Sequence, residues 1–358
     1  MKTESFKAGD WVEVLSKAEI LATLDAEGRL DGMPFMPEMF RYCGQRFQVY
    51  KSAHKTCDTV FPIRGLRVHR AVHLETRCDG SAHGGCQAGC LIFWKEDWLK
   101  ASRQPAADTV NIGRERCEEV DASPYRELTL CEHAVKRDAD DVPKYTCQAT
   151  QLPYCTTELP WWEMRQYVED YRSGNVTAWR MLSGLAYSGY YHLSRAGIGL
   201  GRPMRWFYNN FHGLWNGTRF PRSTGTIAAG EKTPTGMLNL QPGERVKVKS
   251  HEEILKTLNV DSRNRGLYWD AELVPYCGGT YNVLKRVSHI VDEKTGYMQD
   301  MKNPCIILDS VVCQARYSKC RMFCPRSIYP YWREIWLERV QPAVQPELSQ
   351  PELSRIRE

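Results

Sequence analysis

Three cysteines and one histidine fall within a thirteen-residue segment, CDGSAHGGCQAGC, at Cys78, His83, Cys86 and Cys90. Thiolate and imidazole groups are the ligands that zinc takes in closed structural sites, and thiolates also hold iron–sulfur clusters. Four glycines in the same segment let the backbone turn tightly around one ion. We therefore predict a metal site here, with zinc favoured and an iron–sulfur cluster as the alternative.

A second group of cysteines has nearly the same spacing and consists of Cys313, Cys320 and Cys324. The position equivalent to His83 is Tyr317, so a fourth ligand would have to come from elsewhere in the chain. His54 and His289 stand at nearly equivalent places and are the candidates; the alternative is that this second site no longer binds metal. In both groups the cysteines could instead be buried thiols, which pack as small apolar side chains.

Four more cysteines lie within 39 residues of loop-like composition in the middle of the chain: Cys117, Cys131, Cys147 and Cys155. Their spacings of 13, 15 and 7 intervening residues differ from the short pairs of zinc motifs, yet they could bind one further metal. A cluster held jointly by this stretch and a flanking part of the chain is a second interpretation. Cys57, three residues after His54, is a further candidate for the first site.

The first two cysteine groups lie in a repeated unit, residues 9–99 and 243–337. The segment GDWVEVLSKAEILATL aligns without a gap on GERVKVKSHEEILKTL, 234 positions later. In the same register Tyr-Cys-Gly at 42–44 falls on Tyr-Cys-Gly at 276–278, and Cys86 and Cys90 fall on Cys320 and Cys324. So many identities in one register indicate a duplication. We predict that Cys43 and Cys277, each beside a turn glycine, are packed thiols.

Each copy begins with the pattern of a short strand, Trp11–Val14 in the first, followed by Ser16 and Glu19 at the spacing of a helix capping box. Later segments rich in β-formers are separated by turns. The opening Gly-Asp-x-Val-x-Val resembles the first strand of SH3-like and KOW barrels, over about six residues per copy, and the resemblance implies small barrels. The predicted fold is α+β, with two duplicated β-barrel-like modules flanking a cysteine-containing, helical central region.

The expected domain organisation has four parts. They are a first repeat module at 1–104, a central cysteine-rich and helical region with its linker at 105–241, a second repeat module at 242–341, and a disordered polar tail at 342–358. Within the central region, apolar residues at helical spacing predict helices over 161–175 and 176–194. Glu163, Glu169 and Asp170 on the first of these helices are interpreted as a solvated face.

Arginines and aromatic residues alternate in the segment RPMRWFYNNFHGLWNGTRFPR, residues 202–222. Such a mixture is found in helices packed between domains, with the arginines reaching outward to water. It is also found at membrane surfaces and in proteins that stack bases on aromatic rings. The sequence leaves interdomain packing, a membrane surface and an acidic partner such as nucleic acid open as interpretations of this segment.

The composition indicates the cellular compartment of the protein and excludes some classes of protein. No signal segment precedes the first strand, and no apolar stretch reaches the length of a membrane-spanning helix. We therefore expect a cytoplasmic protein, and we expect its 14 cysteines to be reduced. A net charge of +5 without charge runs permits an acidic partner without requiring one. The glycines at 197, 199 and 201 lack the context of a phosphate loop.

Three functions are compatible with these features. The first is a cytosolic metal-binding protein whose tandem modules act as a binding scaffold, since small modules gain stability from metal staples. The second is a metal- or iron–sulfur-dependent enzyme with its site between the repeats and the central region. The third is a nucleic-acid-binding protein. We favour the scaffold, because no catalytic constellation can be assembled from the sequence.

Overall fold

The computed structural model describes residues 5–61, 64–104, 124–214, 220–318 and 320–340. The first part of the chain is dominated by strands. Its elements are β1 (Trp11–Val14), α1 (Lys17–Thr23), β2 (Arg29–Leu30), β3 (Met33–Pro34), β4 (Arg46–Ser52), β5 (Lys55–Cys57), β6 (Gly65–Arg67), β7 (Ala71–Arg77), β8 (Leu91–Lys95) and β9 (Leu99–Ala101). Five of these strands form a curled antiparallel sheet in the order β8-β7-β4-β1-β9.

Local sequence accounts for the start of this sheet. Val12 and Val14 alternate with more exposed residues along β1 and are fully buried, as expected for a strand with one face on a core. The Ser16 side chain accepts the backbone N–H of Glu19, and the Glu19 carboxylate accepts the backbone N–H of Ser16. This capping box satisfies two free backbone donors and begins α1 directly after the strand.

Helices follow in the middle of the chain, with three short strands among them. The elements are α2 (Pro124–Ala134), β10 (Val135–Arg137), β11 (Pro143–Tyr145), α3 (Gln148–Cys155), β12 (Thr157–Leu159), α4 (Arg165–Arg172), α5 (Ala178–Ser194) and α6 (Gly201–Gly213). Strand β12 pairs with β6 in a three-stranded sheet, β12-β6-β5. The Gln148 amide bonds both the N–H and the C=O of Phe93 in β8. The middle of the chain therefore packs directly into the first sheet.

The last part of the chain contains a second curled antiparallel sheet. Its elements are β13 (Arg245–Val248), α7 (His251–Leu255), β14 (Arg263–Asn264), β15 (Leu267–Tyr268), β16 (Thr280–Val291), β17 (Met298–Leu308) and β18 (Leu337–Arg339). The sheet order is β17-β16-β13-β18. It corresponds to β7-β4-β1-β9 of the first sheet, and an isolated bridge between Ile306 and Trp332 occupies the place of β8.

Equivalent side chains make equivalent contacts in the two sheets. The indole N–H of Trp98 donates to the Thr23 hydroxyl over 3.1 Å, and that of Trp336 donates to the Thr257 hydroxyl over 2.9 Å. Each tryptophan also meets a further aromatic ring edge-on. The ring centroids are 5.1 Å apart for Phe35 and Trp98 and 5.0 Å apart for Trp269 and Trp336. Both cores are therefore built on one aromatic arrangement.

The buried carboxylate of Glu334 binds the backbone of the segment that precedes β13. Glu334 accepts the backbone N–H groups of Leu238, Asn239 and Leu240 and pairs with Arg286 at 2.7 Å. Burial alone would raise the pKa of Glu334, but these donors together hold it below its ordinary value. The stabilisation is therefore present at neutral pH and is lost as the pH falls through that lowered pKa.

We expect Glu334→Gln to lower the free energy of unfolding by about 2 kcal/mol, because bonds to an ionised acceptor are replaced by weaker ones. Urea denaturation at pH 7 measures this loss. The exposed neighbour Glu338 provides the control, and Glu338→Gln should change stability by less than about 0.5 kcal/mol. Equal losses in the two variants would contradict the role given to Glu334.

Candidate metal centre

The four predicted ligands of the first site line one small cavity. Cys78, His83, Cys86 and Cys90 line it, and Cys147, the residue before α3, lines it as well. The cavity measures about 30 Å³, the share of liquid volume that one water molecule takes. Such a space suits a single ion or water and not a substrate.

The loop conformation depends on glycine. Gly80 has a φ of +77°, and a Cβ placed there would overlap the carbonyl oxygen of Cys86. Only glycine takes this backbone region without strain and also allows so close an approach. The loop is closed at its base by a bond from the Cys78 N–H to the Cys90 carbonyl. The segment's glycines therefore bring the two ends of the cysteine group together.

A glutamate joins this centre. Ligand atoms of Glu38, Cys78 and His83 lie within 4.8 Å of one another, and among the described residues this is the group of three whose spacing could hold a metal ion. The Cys78 thiol donates to Glu38 Oε1 over 3.0 Å, and His83 Nδ1 lies 3.2 Å from the same oxygen. Glu38 and His83 are both buried. The three groups form an O, S and N donor set.

Two atoms of this group have no hydrogen-bond partner in the described part of the chain, Glu38 Oε2 and His83 Nδ1. His83 Nε2 lies 3.1 Å from the Thr146 carbonyl oxygen, which can only accept, so Nε2 carries the proton. In a neutral imidazole Nδ1 then presents a lone pair to the Glu38 carboxylate. A cation between them, either a proton on Nδ1 or a metal ion, removes that repulsion.

Burial keeps the neighbouring thiols protonated when no cation is present. It raises the pKa of Cys90 to about 12 and that of Cys147 to about 11. Burial and the nearby Glu38 charge raise the pKa of Cys78 as well. For Glu38, burial opposes ionisation, yet the adjacent His83 ring and the bond from the Cys78 thiol hold its pKa below the ordinary value. A metal would have to displace thiol protons, which makes its binding pH-dependent.

The central cysteines are dispersed in the structure. Cys147 lies at the first site, whereas Cys131 is exposed on α2 and Cys155 lines a separate cavity with Asp31 and Lys95. Cys117 lies outside the described residues. Of these three described cysteines, Cys147 is the one that lines the first cavity.

Two cysteines of the second group line another cavity, of about 260 Å³. They are Cys313 and Cys324, and Cys57 from the first sheet region lines it as well. The Cys57 thiol donates to the Cys324 sulfur, which raises the pKa of Cys57 and lowers that of Cys324. Glu272, the residue equivalent to Glu38, also lines the cavity and accepts the N–H groups of Arg316 and Tyr317. Cys320 is half-buried and does not line this space.

A buried arginine connects the two cavities. Arg326 lines both of them, is 2% exposed and pairs with Glu293 over 2.9 Å. The long hairpin of the second sheet also reaches the first site, where the N–H of Val291 donates to the Cys86 sulfur over 3.3 Å. His289 Nε2 lies 3.0 Å from the Gly85 carbonyl oxygen, so this histidine contacts the first cysteine loop.

Glu38 at the first cavity and the contact between the Cys57 and Cys324 thiols were not found from the sequence. Glu38 and Glu272 occupy the same place in the two copies, 234 positions apart, and that identity was the available signal for Glu38. The meeting of Cys57 with Cys324 has no such signal, because the two residues are 267 positions apart.

The prediction of a solvated face on α4 is wrong for one residue. Asp170 is 0% exposed and lies 2.5 Å from Lys55 Nζ and 3.2 Å from His54 Nε2. Glu163 and Glu169 do lie at the surface, where both pair with Arg67. His54 therefore contacts Asp170 and lies outside both cysteine cavities.

Neither a scan against protein-family models nor a search of curated proteins found a match to this chain. In the described part of the chain, every helix is too short or too polar to cross a bilayer.

Proposed function

We propose that this chain is a metal-binding scaffold protein, with a zinc ion held at the first cysteine cavity. The observation that carries the proposal is the buried Glu38, Cys78 and His83 group on the wall of a cavity that three more cysteines line. His83 Nδ1 lies 3.2 Å from Glu38 Oε1, and Glu38 Oε2 has no hydrogen-bond partner among the described residues. A mixed set of nitrogen, oxygen and sulfur donors is typical of zinc.

The size of the cavity favours a structural role over catalysis. Catalytic zinc sites keep an open position for water or substrate, whereas structural sites are closed. A space of about 30 Å³ leaves no room for a substrate beside the ion. Four cysteines line the same space, namely Cys78, Cys86, Cys90 and Cys147, and four thiolates are also the donor set of an iron–sulfur cluster. The cluster-dependent enzyme is therefore the second candidate.

A second metal is proposed at the cavity formed by Cys57, Cys313 and Cys324. Cys57 comes from β5, and Cys313 and Cys324 come from the segment between β17 and β18, so an ion there would fasten the first part of the chain to the last. We infer that the modules arose by duplication and are SH3-like barrels, supported by their shared sheet order and aromatic contacts. We also propose a reducing, cytoplasmic location, in which the thiols that line the two cavities are available to a metal.

Metal analysis after anaerobic purification tests the proposal. We expect a colourless protein with one or two zinc ions per chain; absorbance near about 400 nm would indicate an iron–sulfur cluster instead. Cys86→Ser and Cys90→Ser should each lose one metal equivalent. The matched control is Cys43→Ser, because Cys43 packs in the first core away from both cavities. Equal metal content in all three variants would contradict the assignment.

A further inference from the structure

A sixty-residue segment that includes α5 and α6 carries only positive charge. Residues 171–230 contain no aspartate or glutamate, while seven arginines lie at positions 172, 180, 195, 202, 205, 219 and 222. The whole chain has 43 acidic residues, so their complete absence here is a strong local bias. Arg202 and Arg205 are exposed on α6. This segment is suited to an anionic partner.

The same segment exposes large apolar side chains. Trp179 is 76% exposed, Leu182 is 61% exposed and Trp206 is 69% exposed. The further exposed apolar residues of the two helices and their connection are Leu185, Leu193, Ile198, Leu200, Phe207, Phe211 and Leu214. Many large apolar side chains exposed on two neighbouring helices indicate an interaction surface.

One face of α5 is anchored to the rest of the molecule. Gly184 lets the Phe323 ring approach so closely that a Cβ there would clash with it. Tyr187 packs edge-on against Tyr317, with ring centroids 4.9 Å apart. Between the two helices, the hydroxyl of Tyr190 on α5 donates to the backbone carbonyl of Met204 on α6. The exposed apolar residues of α5 therefore belong to a helix whose other face is packed, and α6 is bound to that helix.

Between the two helices runs a groove of about 370 Å³ with aromatic walls. Its lining includes Ala186, Tyr190, Phe207, Tyr208 and Phe211. Arg316 also lines the groove, and Arg205 and Trp206 directly precede the lining residue Phe207 on α6. One ligand could therefore place an apolar chain in the groove and an anionic group near an arginine.

We propose that α5 and α6 form a docking surface for an anionic phospholipid bilayer, with the groove taking part of an acyl chain. Arginines around exposed tryptophan, phenylalanine and leucine side chains are the pattern of interfacial membrane-binding helices. Anionic lipid headgroups supply the charge that the segment lacks. This proposal does not rest on the metal centre.

Aliphatic side chains favour a bilayer over nucleic acid as the occupant. Single-stranded nucleic acid stacks on aromatic rings and contacts arginine, but it gains nothing from exposed leucine and isoleucine. Leu182, Leu193 and Ile198 are exposed in the same segment. A bilayer buries aromatic and aliphatic residues together, which accounts for the whole set.

Vesicle co-sedimentation of the full chain tests the proposal. We expect binding to phosphatidylcholine vesicles that contain phosphatidylglycerol, at least about tenfold tighter than to phosphatidylcholine alone and weakened by salt. The double variant Arg202→Glu/Arg205→Glu should weaken this binding by about thirty-fold. Trp206→Glu should weaken it by at least about tenfold, because the ring no longer enters the interface.

Met237→Glu is the matched control, since Met237 is exposed on a separate segment, and it should bind vesicles like the unaltered chain. Circular dichroism on each variant separates lost binding from lost folding; the substituted side chains are exposed, so melting should not change. Absence of vesicle binding would overturn the proposal. Binding to a single-stranded oligonucleotide without vesicle binding, or vesicle binding that Trp206→Glu leaves intact, would overturn it as well.

Discussion

Replacing Asp170 by alanine should lower the free energy of unfolding by about 3–5 kcal/mol, the usual cost of leaving a buried charge without its partner. Asp170 is fully buried, and Lys55 is 3% exposed and 2.5 Å from it. The Lys55 ammonium also donates to Gln166 Oε1 over 3.2 Å and lies over the Tyr167 ring. Without Asp170, this cation would have only neutral neighbours at close range, and water cannot reach it.

Urea denaturation of the variant gives the magnitude, and the adjacent residue provides the control. Glu169 pairs with Arg67 at the surface, with its side chain 45% exposed, so Glu169→Ala should cost less than about 1 kcal/mol. Adding Lys55→Met to Asp170→Ala should recover part of the loss, because the orphaned charge is then gone. A larger loss in the double variant than in Asp170→Ala would show that the lysine is stabilised by other groups.

Removing the proposed metal should have the second large effect. A chelator that strips zinc at neutral pH should lower Tm by about 10 °C, since an ion present at a thousandfold above its Kd contributes about 4 kcal/mol. The small donor cavity and the unpartnered atoms of Glu38 and His83 describe a site that is unfavourable without a cation. The raised pKa values of the Cys90 and Cys147 thiols mean that zinc has to displace their protons, so the shift in Tm should shrink as the pH falls. Differential scanning calorimetry with and without chelator measures the shift.

Variants at single cysteines separate the two proposed sites. Cys90→Ser should melt early and respond less to the chelator, and Cys324→Ser should do the same through the second cavity. Cys43→Ser should keep the full response. A Tm that does not move on chelation in the unaltered protein would show that the thiols are apolar packing groups.

Much of each module could be derived from sequence because its determinants are close along the chain. Ser16 and Glu19 are three residues apart, so their capping box is a local feature and starts a helix as predicted. The match between the two copies also predicted equivalent positions, and Trp98 and Trp336 make the same bond to Thr23 and Thr257. The cysteine loop at 78–90 was identified for the same reason, since glycine content and ligand spacing are local.

What lies beside that loop was decided by the tertiary structure. Glu38 reaches Cys78 from a turn that precedes β4, and Cys147 arrives on a helix from the middle of the chain. Cys57 on β5 meets Cys324 in the segment between β17 and β18, where the two are buried in one cluster with Ala315. Asp170 is buried for the same kind of reason, since β5 brings Lys55 to α4. Sequence spacing specifies which groups can be neighbours within one element, whereas packing between elements far apart in sequence selects which buried charges and thiols meet.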